Sequence, residues 1–301
     1  QVGNVTNYLI EARRNPQGGG RFDIGLATSD GVLPLSFLPS AFVQAAADSD
    51  NAEGQELGPD FGRWGFFATG ILGRGRYRDG ERTPDYDYDS GSLTAGVDYR
   101  FTDQVIAGVA LGFSRGSTDL RSGNGELDTD GWNLIGYGSW YNENQWFVDG
   151  SLTFGQADYD ISRVLSYSIT AADGTRTNVD QIAIADTSGD QTALTLSVGR
   201  DFQKGGWSLS TYFRGLYARS EFDAYVERMQ TGEPGTGLAL AVDARKIDSL
   251  NATLGGRATY IFSREWGILM PHAMLEWEHR FEDDPSQLTA RFVADPSAGT
   301  F

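Results

Sequence analysis

Two histidines, His272 and His279, are the only ones in the chain, and there is no cysteine, so a general base or a soft nucleophile has few places to come from. Seven residues separate the two histidines, an odd number, which on one strand turns their rings to opposite sides. His272 then shares its side with Glu276 and Glu278, while His279 falls beside Trp277 and Phe281. A hydrolytic triad also needs a nucleophile aligned on its base, and neither histidine belongs to a recognisable one. His272 reads as a hydrogen-bonded polar residue of an interior, and His279 as an amphipathic ring at a boundary. The acidic run PDYDYDSG (84–91), with Asp85, Asp87 and Asp89, resembles a cation loop in composition but lacks the spacing and terminal glutamate of an EF-hand. Asp186, Asp190, Glu221 and Asp223 lie in similar stretches, and all read as solvated loops. Zero cysteine also removes disulfides and thiolate metal sites. The glycines fall on alternate positions rather than in a phosphate cradle or a dinucleotide fingerprint, so no cofactor and no metal are expected.

The elements that carry these residues repeat with a period of two. Leu93, Ala95, Val97, Tyr99 and Phe101 alternate with polar or small residues, as do Ala107, Val109, Leu111 and Phe113. Trp146, Val148, Leu152 and Phe154 follow the same rule, then Leu194, Leu196, Val198 and Phe202. Trp207, Leu209, Phe213 and Tyr217 come next, then Leu250, Ala252, Leu254, Ala258 and Tyr260, and finally Ala273, Leu275, Trp277 and Phe281. With less regular strands near 63–77, 131–141 and 287–293, ten strands of roughly 12–14 residues are expected, with no helix between them.

Charge and length narrow the class. The 301 residues hold 24 Lys+Arg against 41 Asp+Glu, a formal net charge of −17, which argues against a nucleic-acid partner. No apolar run approaches the roughly 20 residues of a spanning helix, and mean hydropathy is −0.36. Membrane-crossing strands need only about 9–11 residues of alternating polarity, so a barrel passes these filters. The connections alternate between tight turns (Thr102-Asp103, Asn142 to Asn144, Gln203 to Gly205, Ser263-Arg264) and long acidic, Gly-rich stretches near 80–88, 117–128, 160–189 and 220–247. Aromatic residues crowd the tight-turn ends: Tyr99, Phe101, Trp140, Trp146, Phe202, Trp207, Tyr260, Phe262 and Trp266. Rings at one level around a barrel suit a membrane–water interface. The pattern predicts an all-β, antiparallel transmembrane β-barrel over residues 61–301 whose apolar face meets lipid.

The other face then lines a lumen, where Asp98, Asp149, Asp201, Glu276, Glu278 and His272 are interleaved with Arg100, Arg214, Arg257 and Arg280. Residues 1–14 space Val2, Val5, Leu9 and Ala12 as a helix, with Arg13 and Arg14 at the end that favours cations. Residues 15–60 read as a linker with room for one helical turn, long enough to return the chain to the short-turn side. The helix is expected to plug the lumen, with Asn4, Asn7, Glu11, Arg13 and Arg14 against luminal acids and arginines, and Arg13 facing Glu276 as one candidate pair. The opening QVGNVTNYLIEARRN lacks a signal peptide's signature, so the chain reads as a fragment or a processed product.

At this point the residues become specific. GSLTAGVDYRF (91–101), VIAGVALGFSRGSTDL (105–120), LDTDGWNLIGYGSWY (127–141), WFVDGSLTFGQADYD (146–160), LEWEHRFEDD (275–284) and ARFVADP (290–296) resemble the β-domain of type V autotransporters, and QVGNVTNYLIEAR resembles that family's pore-threading linker helix. The resemblance covers the chain from Gln1 onward. It implies an outer-membrane translocator that anchors in lipid and lipopolysaccharide, is inserted by the barrel-assembly machinery, and gives an upstream passenger domain its exit route. Family barrels have twelve strands, so two more are expected beyond Phe301, because VADPSAGTF contains proline and glycine and does not alternate. The Asn-Asn step at which some members cut themselves is absent, the nearest match being Gly3-Asn4. Two rival readings remain at this stage. An omptin-like protease or an outer-membrane phospholipase would need an acid pair or a Ser–His pair in place. A passive porin would lack a plug of its own.

Overall fold

The computed structural model describes residues 21–28, 31–35, 63–77, 85–120, 125–230, 234–264, 267–269, 271–281, 288–295 and 299. Asn4, Asn7, Glu11, Arg13, Arg14, Trp266 and Phe301 lie outside the described residues. The wall strands are β1 (Trp64–Tyr77), β2 (Tyr86–Thr102), β3 (Val105–Leu120), β4 (Gly125–Tyr141), β5 (Trp146–Thr170), β6 (Arg176–Lys204), β7 (Trp207–Phe222), β8 (Arg245–Tyr260) and β9 (His272–Arg280). Each pairs antiparallel with the next in chain order, so the fold is a meander.

The tight turns are written locally. Asn142 accepts a hydrogen bond on Oδ1 from the Trp146 N–H at 3.0 Å, which closes the β4–β5 turn before the ladder begins. Gly205 takes a φ of 60° between β6 and β7, a backbone conformation that glycine enters without steric cost. Between β8 and β9 the expected turn at Ser263-Arg264 is instead part of a short ladder, Phe262–Arg264 paired with Gly267–Leu269.

Alternation sets the two faces. Val109, Leu111 and Phe113 of β3, and Leu194, Leu196 and Val198 of β6, are exposed on one side, while Asp98, Asp149, Ser151, Thr195 and Ser197 are buried on the other. In water so wide an apolar surface would be strongly unfavourable, since soluble proteins keep such patches to a few hundred Å². Acyl chains are the solvent that suits it. On the buried side the sheet curls tightly, and glycines make room for rings from the neighbouring strand. A Cβ on Gly96 would come within 2.6 Å of the Phe67 ring, and one on Gly108 within 2.6 Å of the Tyr137 ring.

Three features differ from the sequence expectation. Strand lengths run well past 12–14 residues, to 25 in β5 and 29 in β6. The stretch 160–189, read as a loop, is mostly the continuation of this hairpin, closed by the turn at Ala171–Thr175. Strand pairing continues there because residues of one side, Val179, Gln181, Ala183 and Ala185, still find something to be buried against. Second, residues 287–293 supply no wall strand among the described residues: Ala290–Phe292 pairs with Leu240–Val242 in a separate small sheet. Third, within the segment read as a linker, Arg21–Thr28 runs parallel to β1 and forms a hairpin with Gly31–Leu35. A three-residue 3₁₀ turn at Thr236–Leu238 is the helical element among the described residues.

Candidate functional site

The concave face is polar and only partly paired, since Thr69 Oγ1, Asn133 Oδ1 and Ser197 Oγ are buried there without a hydrogen-bond partner. Tyr137 donates its hydroxyl hydrogen to Asp98 Oδ2 at 3.2 Å, and Ser139 donates to Asp149 Oδ1 at 2.7 Å. Both carboxylates are nearly sealed from solvent, so these bonds offset much of their desolvation. They arise from register: Ser139 sits directly opposite Asp149 on the adjacent strand, and Asp98 opposite Gly108, over which the Tyr137 ring leans. Arg100 donates from Nη1 to the Tyr141 hydroxyl oxygen at 2.7 Å. On the β7–β9 side, Tyr212 bonds to Glu276, and Arg214 lies 3.4 Å from the same carboxylate. Glu278 accepts from Asn251 Nδ2 at 3.4 Å. The alternation places Asp201, Arg257, His272 and Arg280 on this side too, with His272 opposite Thr259 and Arg280 opposite Asn251.

An apolar patch interrupts this polar surface. Ala110, Ile135 and Tyr137 form a buried cluster with Phe67 packed on it, and a cavity of about 350 Å³ lies against them, lined also by Ser92, Asn133 and Gln191. Sequence reasoning missed these inward rings and aliphatics because β1 and β4 alternate less regularly. The signal was available in the glycines opposite them, since a lone large residue facing a glycine on the next strand marks such a pair.

The lipid side has two aromatic levels. At the tight-turn end, Trp64 packs edge-on against Tyr99 at 4.8 Å, Tyr99 against Phe101 at 5.1 Å, Trp207 against Tyr260 at 4.8 Å and Tyr260 against Phe262 at 4.3 Å. Trp140, Trp146 and Phe202 are exposed at the same end. The Arg200 guanidinium lies 4.9 Å from the Phe202 ring centre and 5.6 Å from that of Trp146, so its charge sits among the aromatic rings of this end. The other limit, not singled out from sequence, is drawn by Phe113, Trp132 and Phe154, with Arg115–Asp130 at 3.5 Å and Arg74–Asp89 at 2.6 Å just beyond. Between the two limits on β1 to β5 the outward side chains are apolar or small.

His279 stacks on Trp277 with ring centres 6.0 Å apart and meets Phe281 edge-on at 4.8 Å, on the outward side. No group of three or more His, Asp or Glu among the described residues is arranged to hold a metal ion. The concave face therefore offers hydrogen-bonding groups, with no nucleophile–base alignment among the contacts described above.

A family model described as "Autotransporter beta-domain" matches residues 66–301. Among curated proteins, the chain is 28% identical over 231 residues to "Esterase EstA" of Pseudomonas aeruginosa, covering 76% of this chain and 33% of that protein. It is 24% identical over 179 residues to "Adhesin BmaC autotransporter" of Brucella suis, covering 54% of this chain and 5% of that protein. The chain thus spans about a third of the esterase and far less of the adhesin. Among solved structures, the "Translocator domain of autotransporter NalP from Neisseria meningitidis" superposes with a TM-score of 0.55 at 16% identity, covering 83% of this chain and 84% of that one.

Proposed function

The chain belongs to the autotransporter β-domain family, and from that premise we propose how its two faces divide the work of an outer-membrane translocator. The barrel is integral to the outer membrane and serves secretion of a passenger domain. The observation that carries the mechanism is the apolar outward band, bounded by aromatics at both ends, backed by a concave face on which Asp98 and Asp149 are buried yet hydrogen-bonded. A polypeptide moving along such a face meets fixed hydroxyls and carboxylates and no open backbone donors, because the ladder has already paired them.

In our reading residues 1–14 form a helix seated in this bore after transport, and residues 15–60 return the chain to the short-turn side. The apolar patch of Phe67, Ala110, Ile135 and Tyr137 is suited to the helix stripe Val2, Val5 and Leu9, and the Arg214–Glu276 group to its basic end. Lipid, lipopolysaccharide and the barrel-assembly machinery are the partners this reading requires. Catalysis is assigned to the passenger and not to the wall: the curated relatives named as esterases share only about a third of their length with this chain.

Single-channel recording tests the plug. The full chain is expected to conduct poorly and a chain lacking residues 1–20 to conduct strongly; equal conductance removes the plug from the mechanism. A double-mutant cycle between Arg13→Glu and Glu276→Arg then asks whether that pair carries any of the coupling.

A further inference from the structure

Above the outer aromatic level, β5 and β6 continue as a tall hairpin whose bore-side face is covered. Val179, Gln181, Ala183 and Ala185, all on that side, are buried, although strands of the wall no longer flank them on both edges. What covers them comes from the connection between β7 and β8. Arg228 and Met229 pair with Ile184 and Ala183, Gln181 donates from Nε2 to the Pro234 carbonyl at 3.5 Å, and Gly235 approaches Val179 and Gln181. Leu240–Val242 then makes a three-stranded sheet with Tyr225–Val226 and Ala290–Phe292, in which Ala239, Ala241, Val242 and Ala290 are buried.

Among the described residues, two ion pairs tie this connection to the hairpin, an exposed one between Arg228 and Asp186 at 2.9 Å and a covered one between Arg163 and Glu227. Arg163, on the bore side of β5, donates from Nε to Glu227 Oε1 at 2.9 Å and from Nη2 to the other carboxylate oxygen and to the Leu238 carbonyl. Glu227 also accepts from the Leu240 N–H at 2.9 Å, and its own N–H donates to the Leu240 carbonyl at 2.8 Å. Glu227 is 6% exposed, so losing its partner leaves a carboxylate in a covered site. The strands of the small sheet are only two or three residues long, too short to hold the sheet by ladder bonds alone.

We propose that this sheet is a lid over the outer end of the bore, latched shut by Arg163 and Glu227, which must swing away when a chain passes. It rests on the reading of the concave face as a bore. The cysteine-free sequence makes a direct test simple. In the chain displayed on cells, both complete and lacking residues 1–20 so that the plug and the lid are separated, a single thiol is introduced by Ser92→Cys, at a residue lining the cavity, and its reaction with an externally added bulky maleimide is timed. Glu227→Gln and Arg163→Gln are each expected to speed labelling about tenfold, the scale of population shift that a lost buried charge partner gives. An oxidised Ala183→Cys/Met229→Cys pair, which joins directly opposed residues, is expected to slow it until a reductant is added. Equal rates in all these chains, with heat-modifiable migration showing each barrel folded, overturn the lid. The disulfide chain adds a constraint without removing a contact, so it decides the matter even where a latch variant folds poorly. A thiol that is labelled neither from outside nor after periplasmic access overturns the bore itself, a distinguishable result.

Discussion

The lower and upper halves of β5 and β6 run through different solvents, and their side chains change sides accordingly. In the lower half the large apolar residues, Leu152, Phe154, Leu194 and Leu196, point outward, and the buried positions hold Asp149, Ser151, Thr195 and Ser197. In the upper half the outward residues include Asp158, Asp160, Asp186 and Asp190 beside the half-exposed Ile182 and Ile184, while Val179, Ala183 and Ala185 are buried on the bore side. One backbone ladder serves both. Lipid turns the lower half inside out, and water above it restores the ordinary arrangement in which apolar residues hide under a covering element.

The sharpest way to break this comparison is to place a charge on each half. Leu196→Arg lies in the apolar band and is expected to lose about 2–4 kcal/mol, the depth-dependent cost of arginine near the midplane. Ile184→Arg, outward on the projecting half, is expected to cost about 0.5 kcal/mol or less. Denaturant midpoints for both variants folded into lipid vesicles decide it, and similar losses would mean that both halves see the same solvent.

A second contrast concerns the curl of the wall. Gly108→Leu drives a side chain into the Tyr137 ring and is expected to cost about 1–3 kcal/mol. Gly136→Ala meets nothing within 4 Å and should stay within about 0.5 kcal/mol of the parent in the same assay. Between these two, Tyr137→Phe removes the hydrogen bond to Asp98 while keeping the ring over Gly108, and is expected to cost about 1 kcal/mol.

The least effect belongs to the hairpin tip. The Thr175 N–H and hydroxyl hold the Asp173 carboxyl below its usual range, the backbone bond contributing most. A carboxyl depressed in the folded state adds stability that is present above its unfolded pKa and is lost as pH falls through the lower folded value. Amide protection factors across residues 171–175, taken relative to the slower intrinsic exchange at low pH, should therefore fall on acidification into that range, and Asp173→Asn should reproduce the lower protection at neutral pH. Protection that does not respond to either change would mean the turn is held by its backbone bonds alone.

Much of this was legible beforehand. The alternation from Leu93 to Phe113 marks strands and sides whatever the partner strand, because successive side chains must point oppositely. The rings near each tight turn likewise announce an interface, since their amphipathic chemistry is local. The inward faces of β1 and β4 were harder to read: Phe67 and Ile135 look misplaced until Gly96 and Ala110 are known to lie beside them. The height of the β5–β6 hairpin was not legible at all, because an acidic stretch with alternating Val, Ala and Gln is equally compatible with a loop in water.

From its order of residues alone the chain settled an antiparallel all-β fold, the division of each strand's side chains between two faces and the end at which most turns are tight. These depend on period, turn chemistry and ring polarity, which act over a few neighbours. Register and long-range contact decided the rest: that rings find glycines on the next strand, that Tyr212 meets Glu276, and that Arg163 meets Glu227, the last two pairs each sixty-four residues apart. Such meetings depend on how the sheet curls and what folds back over it, and no window of sequence contains both partners.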